Sequence, residues 1–356
     1  MKLLYKILVL STIFTIISCD CFLGMGSGCD DDGATDLSTE FNVIIYDVQT
    51  SHNSSGIPPN SNTINVYFKL ETLDGDPVAD KSENFFDIYE MSNNEGDFKL
   101  ISVNEAERKI DPNRASFKYF NTIVLDLSGS VINNDLNKLK EATSSFIENS
   151  YDNIAPENLN TALIWFDGRN QINVLQGYTT DRKLLLNKVD SITEDLPQDS
   201  STNLNGAIIE SITYMRTAMI NASNSFITGG SILFFTDGTD QAGHYSTQEA
   251  VSAATAEMDF MDIYSIGLGN EIDESILSQI GYSGAFFPDS IDQLQAQFTQ
   301  VANNIEQEAN SYYLLQYCSP KRNGFNSLKI GIKNKGSEGG VAEFNASGFV
   351  DNCLIE

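Results

Sequence analysis

The sequence predicts an α/β fold: a doubly wound, mostly parallel sheet inserted into, or flanked by, an antiparallel β-sandwich. Between about residues 118 and 309, short apolar runs alternate with amphipathic helical patterns, as expected of parallel strands covered on both faces by crossover helices. From 41 to about 115 the pattern changes to period two, with turn residues between runs, as in half-buried antiparallel strands. After residue 310 period two returns. Two half-sandwiches on either side of a middle domain are expected to pair with each other, because two separate β units would each lack a core.

At the start of the chain Lys2 and Lys6 precede an apolar run from Ile7 to Ile17, well short of the ~20 residues of a membrane-spanning helix, so residues 1–18 read as a signal peptide. Ile16-Ile17-Ser18-Cys19 resembles the lipobox of bacterial lipoproteins. That resemblance implies lipidation of Cys19 and a place in the bacterial cell envelope, anchored to a membrane; inner against outer membrane and periplasmic against surface exposure stay open. The alternative is an ordinary secretory peptide with an incidental Cys19. Residues 19–40 are rich in Gly, Ser and Asp, with Asp30-Asp31-Asp32-Gly33 in the middle, and read as a flexible acidic tether. No later stretch approaches a membrane span in length.

The first sandwich segment, 41–115, holds runs at Phe41–Val48, Ile64–Leu70, Phe85–Tyr89 and Phe98–Val103. Asp74-Gly75-Asp76-Pro77 supplies one turn. In the middle domain, 118–309, strands are expected at Ile123–Leu125, Ala162–Phe166, Ile232–Phe235, Ile263–Ile266 and Ala285–Phe287. Helices are expected at Asn134–Tyr151, Asp181–Ile192, Leu204–Ala222, Thr247–Met258, Ile272–Ile280 and Ser290–Glu308. The second sandwich segment, 310–356, holds runs at Tyr312–Tyr317, Leu328–Ile332 and Val341–Phe349. Trp165 is expected in the core and Phe286-Phe287 in a buried strand.

Charge narrows the function. There are 49 Asp and Glu against 21 Lys and Arg, a net charge of −28; such a polyanion repels phosphate backbones, which excludes nucleic acid, and favours cationic ligands, divalent metal ions above all. With His52 and His244 as the only histidines, a His-rich zinc site or a Ser/His/Asp relay has little to draw on. The five cysteines divide into Cys19 for lipid, Cys21 near Cys29, and Cys318 with Cys353. Export permits a Cys318–Cys353 disulfide, while Cys21 and Cys29 could pair, stay free or bond between molecules.

Ligand sites of doubly wound sheets lie beyond the carboxyl ends of the strands. There the sequence places Asp126-Leu127-Ser128-Gly129-Ser130, then Ser200-Ser201-Thr202 before a helix, then Thr236-Asp237-Gly238. Two carboxylates and three hydroxyls form a hard-oxygen set suited to Mg²⁺ or Mn²⁺, with Ca²⁺ a further option. Neutral hydroxyls leave a cation under-neutralised, able to draw an anionic oxygen from outside.

Asp126-x-Ser128-x-Ser130, Thr202 and Thr236-Asp237-Gly238 resemble the metal-ion-dependent adhesion site of von Willebrand factor A domains, and the resemblance covers roughly 118–309. It implies a metal held by Asp126, Ser128, Ser130, Thr202 and Asp237, a protein partner offering an Asp or Glu carboxylate, and binding rather than enzyme activity. The plan is similar to the integrin β-subunit head, which implies motion of the helix Ser290–Glu308. Two other readings compete: an envelope scaffold or assembly factor with a purely structural metal, and an enzyme, for which His244 is the one nearby general base.

Overall fold

The computed structural model describes residues 40–355 apart from 93–95, 113–116, 155–157, 224–225, 259, 291–292 and 336–338. The expected signal peptide at 1–18, nearly all of the expected tether at 19–40, and Cys19, Cys21 and Cys29 lie outside the described residues.

Two four-stranded antiparallel sheets form the sandwich. The first has the order β1-β2-β12-β5, from β1 (Phe41–Gln49), β2 (Thr63–Thr72), β5 (Arg108–Pro112) and β12 (Tyr312–Cys318). The second has the order β14-β13-β3-β4, from β3 (Phe86–Ser92), β4 (Lys99–Leu100), β13 (Phe325–Ile332) and β14 (Gly339–Asn345). Chain from both sides of the middle domain therefore shares both sheets: β12 pairs with β2 at Leu315↔Val66, and β13 pairs with β3 at Ile330↔Ile88. Period two explains the packing. Ile64, Val66, Phe68 and Leu70 turn one face inward and are buried against Ile88, Leu328, Ile330 and Phe344 of the other sheet. The Cys318–Cys353 disulfide, with Cα atoms 5.6 Å apart, staples the C-terminal tail to the end of β12.

The middle sheet has the order β11-β10-β9-β6-β7-β8. Its parallel members are β6 (Phe117–Asp126), β7 (Leu159–Phe166), β9 (Ile227–Gly238), β10 (Asp262–Glu271) and β11 (Gly284–Phe286); β8 (Asn173–Thr179) runs antiparallel to β7 at the edge. Alternate residues of β6 serve different cores. Ile123 and Leu125 face α2 (Leu136–Asn153) and α7 (Leu294–Ala309), while Phe120 and Val124 face α4 (Leu204–Ser223) and α5 (Thr247–Thr255). Burial on both faces is why these strands read as unbroken apolar runs. On α7 the spacing of Leu294, Phe298, Val301, Ala302 and Ile305 gives one apolar stripe. Its Phe298, fully buried edge-on to Phe146, contributes about 2–3 kcal/mol by burial alone.

Several elements differ from the sequence reading. The expected Asn134–Tyr151 helix is α2, and a short α1 (Gly129–Asn134), not expected from the sequence, precedes it, separated by Asp135 at φ −129°. Asp181 does not continue the helix but caps α3 (Arg182–Asp190), accepting from the Leu184 N–H; Asp273 does the same for α6 (Glu274–Ile280) through Ile276. Thr247–Met258 stops as a helix at Thr255. Of Phe98–Val103 only Lys99–Leu100 joins a ladder, leaving Leu100 and Val103 exposed. Val341–Phe349 leaves its ladder after Asn345, where Gly348 turns the chain at φ 81°. Phe286 and Phe287 are only half-buried, because β11 is an edge strand. Trp165 is buried in the core.

Candidate functional site

The chain order reverses direction between β6 and β9, so the loops after these strands diverge and leave a crevice at their carboxyl ends. Asp126, the last residue of β6, is fully buried there. Its Oδ1 accepts from the Ser128 N–H at 2.8 Å and its Oδ2 from the Thr236 hydroxyl at 2.6 Å. Burial pushes its pKa up to about 7 and the Asp237 charge adds to this, against the downward pull of the Thr236 and Ser128 hydrogen bonds. Ser128 caps α1 from an extended conformation, and its hydroxyl lies 3.4 Å from that of Ser130 on the first turn.

Ser130 in turn hydrogen-bonds the Asp237 carboxylate. Burial raises the Asp237 pKa as well, and its Oδ1 is buried with no hydrogen-bond partner. A buried carboxylate oxygen left bare costs free energy unless something cationic meets it. Thr202 comes in from the third loop. It is 2% exposed, its hydroxyl stands 3.8 Å from where a side chain on Gly238 would begin, and its carbonyl accepts from the N–H groups of Gln241 and Ala242. The first loop is tied to the same segment by the Gly129 N–H donating to the Ser200 carbonyl at 3.0 Å. A Cβ on Gly129 would stand 2.9 Å from the Ser200 Cβ, so glycine is what lets the two loops approach.

The five residues Asp126, Ser128, Ser130, Thr202 and Asp237 thus line one crevice, and their oxygens are the groups that could hold a hard cation. Only two are carboxylates. Among the described residues no group of three or more His, Cys, Asp or Glu could hold a metal ion, so a cation here depends on the hydroxyls.

Other residues position this set. Thr236 fixes the Asp126 carboxylate. Asp167, directly after β7, holds the next loop: its carboxylate accepts from the Arg169 N–H and guanidinium and from the Gln198 N–H. Burial pushes its pKa up, but the Arg169 and Gln198 donors more than offset that and hold it below the ordinary value. Asp240 accepts from the Asn205 N–H at the start of α4 and from the Gly243 N–H. The clue to all three in the sequence is their place at or just past a strand end. His244 sits at the rim, with Nε2 3.2 Å from the Gly168 carbonyl oxygen. His52 lies elsewhere, stacked on Phe349.

Comparison with known proteins bears on the fold. No curated protein matches the sequence. Among solved structures, proximal thread matrix protein 1 of the mussel byssus with a zinc-occupied MIDAS motif is 16% identical, over 59% of this chain and 49% of that one, with a TM-score of 0.42. This chain spans only about half the length of the mussel proteins it matches. The manganese-loaded TRAP protein of Plasmodium vivax is 14% identical over 68% of this chain and 98% of its own, with a TM-score of 0.45. A von Willebrand factor type A protein of Catenulispora acidiphila is 12% identical over 87% and 74%, with a TM-score of 0.44. These likenesses are remote. A direct match comes from the sequence itself: residues 122–301, running from the middle of β6 into α7 and enclosing the whole crevice, fit the family model for this domain. The chain belongs to the von Willebrand factor type A domain family.

Proposed function

We propose that the chain is a lipid-anchored cell-envelope protein that binds a divalent metal ion, Mg²⁺ or Mn²⁺ with Ca²⁺ a further option, at Asp126, Ser128, Ser130, Thr202 and Asp237. Through it the domain takes up a carboxylate-bearing protein ligand, and its role is binding rather than catalysis. The observation that carries this reading is the bare, buried Oδ1 of Asp237 beside the fully buried Asp126 carboxylate and three hydroxyls. Two neighbouring acids with raised pKa values are an arrangement a cation relieves. When bound, the ion supplies an electrophilic point for an external carboxylate. The protein's part is to hold hydroxyls and carboxylates in place: Thr236 and the Ser128 N–H orient Asp126, Ser130 orients Asp237, and the Gly129–Ser200 contact keeps Thr202 in range.

The anchor rests on the lipobox-like Ile16-Ile17-Ser18-Cys19. No helix among the described residues is long and apolar enough to cross a membrane.

Calorimetric titration of the full chain with Mg²⁺ tests the metal site. One saturable site is expected, weakened by at least tenfold, ~1.4 kcal/mol, in Asp126→Ala and in Thr202→Ala. Heats indistinguishable from those of Asp126→Ala would overturn the reading. For the anchor, fatty-acid labelling of the expressed chain should be abolished by Cys19→Ser.

A further inference from the structure

At the opposite pole of the middle sheet, by the amino ends of β9 and β10, lies a cavity of about 400 Å³, within the size range of small-molecule sites. It is framed by the last turns of α4, the α5–β10 connection, the end of α7, and the first sandwich sheet at Tyr46 and Lys69. None of the adhesion-site residues lines it.

Its chemistry is two-sided. One wall is apolar, and Ile220, Met258 and Phe260 on it are 60%, 53% and 61% exposed. Large apolar side chains gathered at a cavity mouth mark a surface with an occupant more often than a bare one. Methionine suits such a wall because it adapts to ligands of irregular shape.

The other wall is anionic. Glu257, Asp262 and Glu308 face two cations, and both cations are already engaged. The Lys69 ammonium lies 2.8 Å from Glu308 and 3.5 Å from Glu71, and Arg216 lies 3.0 Å from the Glu257 Oε1. Glu257 is 2% exposed, yet its Oε2 is buried with no hydrogen-bond partner. Asp262 accepts from the Ser283 hydroxyl at 2.8 Å. Burial, then the Glu308 charge, pushes its pKa up to about 7, so it too gains from a cation nearby.

A metal ion does not suit this wall, since among the described residues no three carboxylates converge on one point. A single positive point charge attached to hydrocarbon matches both walls at once.

We propose that this cavity binds a small organic cation, an amine with an apolar tail, whose ammonium group meets Glu257 and Asp262 while its hydrocarbon lies against Ile220, Met258 and Phe260. The site is independent of the adhesion site and of any metal held there.

Hexylamine, tested on the full chain at pH 7.5 by saturation-transfer NMR and calorimetry, is the probe; hexanoate and hexanol are matched in length but differ in charge. Saturable binding of hexylamine alone is expected. Glu257→Gln keeps the shape and should weaken binding by at least ~10-fold, the size of one charge-assisted hydrogen bond. Ile220→Trp, at an exposed position that does not endanger folding, should block the cavity mouth and abolish binding. Asp126→Ala should bind hexylamine as the parent does. Equal binding of hexanol or hexanoate overturns the proposal, as does unchanged binding in Ile220→Trp or loss of binding in Asp126→Ala, which would place the amine at the adhesion site.

Discussion

Asp262→Asn is the sharpest test of the electrostatics at the foot of the domain. In the folded protein burial and Glu308 hold Asp262 neutral up to about pH 7, whereas its ordinary pKa is 3.8. The interval corresponds to at most ~4 kcal/mol at 1.36 kcal/mol per pH unit, and the substitution is expected to recover about half of it, ~2 kcal/mol. Its sign comes from linkage. Below pH 4 both folded and unfolded chains carry the proton and the group is neutral in its effect. Between pH 4 and 7 the unfolded chain releases the proton while the folded one keeps it, so stability falls as pH rises; above 7 the whole penalty is present. Asn cannot ionise and can still accept from the Ser283 hydroxyl. Urea denaturation at several pH values should therefore find Asp262→Asn about 2 kcal/mol more stable than the parent at pH 8.5, with the difference gone by pH 4. A variant equally or less stable than the parent at pH 8.5 would refute the reasoning, because Asp262 would then be ionised without cost.

Removing the disulfide by the double substitution Cys318→Ser and Cys353→Ser opens a loop of 35 residues, worth up to ~4 kcal/mol of chain entropy; the melting temperature should fall, and reductant should lower the parent's to a similar value while leaving the variant's unchanged. Thr236→Val preserves shape but takes from Asp126 its 2.6 Å donor, at a cost of ~1.5–3 kcal/mol for a hydrogen bond to a charged group. Denaturation should show that loss, and Mg²⁺ affinity should drop although Thr236 is not among the proposed ligands.

The strands that build the candidate site were legible because burial on two faces leaves no room for polar residues: Ile123-Val124-Leu125 and Ile232–Phe235 can be little else. The hydroxyl and carboxylate clusters at Asp126–Ser130 and Thr236–Gly238 were legible because they begin where those apolar runs stop, at the end of the sheet where such folds hold their ligands. Two edge strands, β5 and β8, were not legible, although the other edges, β1, β4, β11 and β14, were. In β5 only Ile110 is buried, and β8 has no buried residue at all, so neither shows a period. Lys69 is more instructive. In the alternation of β2 it reads as a side chain pointing to solvent, and it does point away from the sandwich core, but the last turn of α7 covers it and supplies Glu308. Which outward face meets another element is a property of the assembled fold. The lacing of the three site loops is hidden for another reason: it runs through the carbonyls of Ser200 and Thr202, and every residue has a carbonyl.

Strands β5 and β12 are neighbours in one sheet, with Pro112 opposite Tyr313, so the chain leaves the sandwich and re-enters it at adjacent places after about 200 residues. For an unstructured excursion of that length, bringing the ends together costs ~5 kcal/mol of entropy. Once the intervening sheet and helices have condensed, their own termini sit side by side and most of that cost has been met. The expected order in folding is that the first sandwich strands stay uncompleted, with exposed edges, until the inserted domain has formed and delivers β12 to β2 and β5. A lesion in the inserted domain's core is then expected to act at a distance, denying the sandwich its closing strand and leaving β edges free to aggregate.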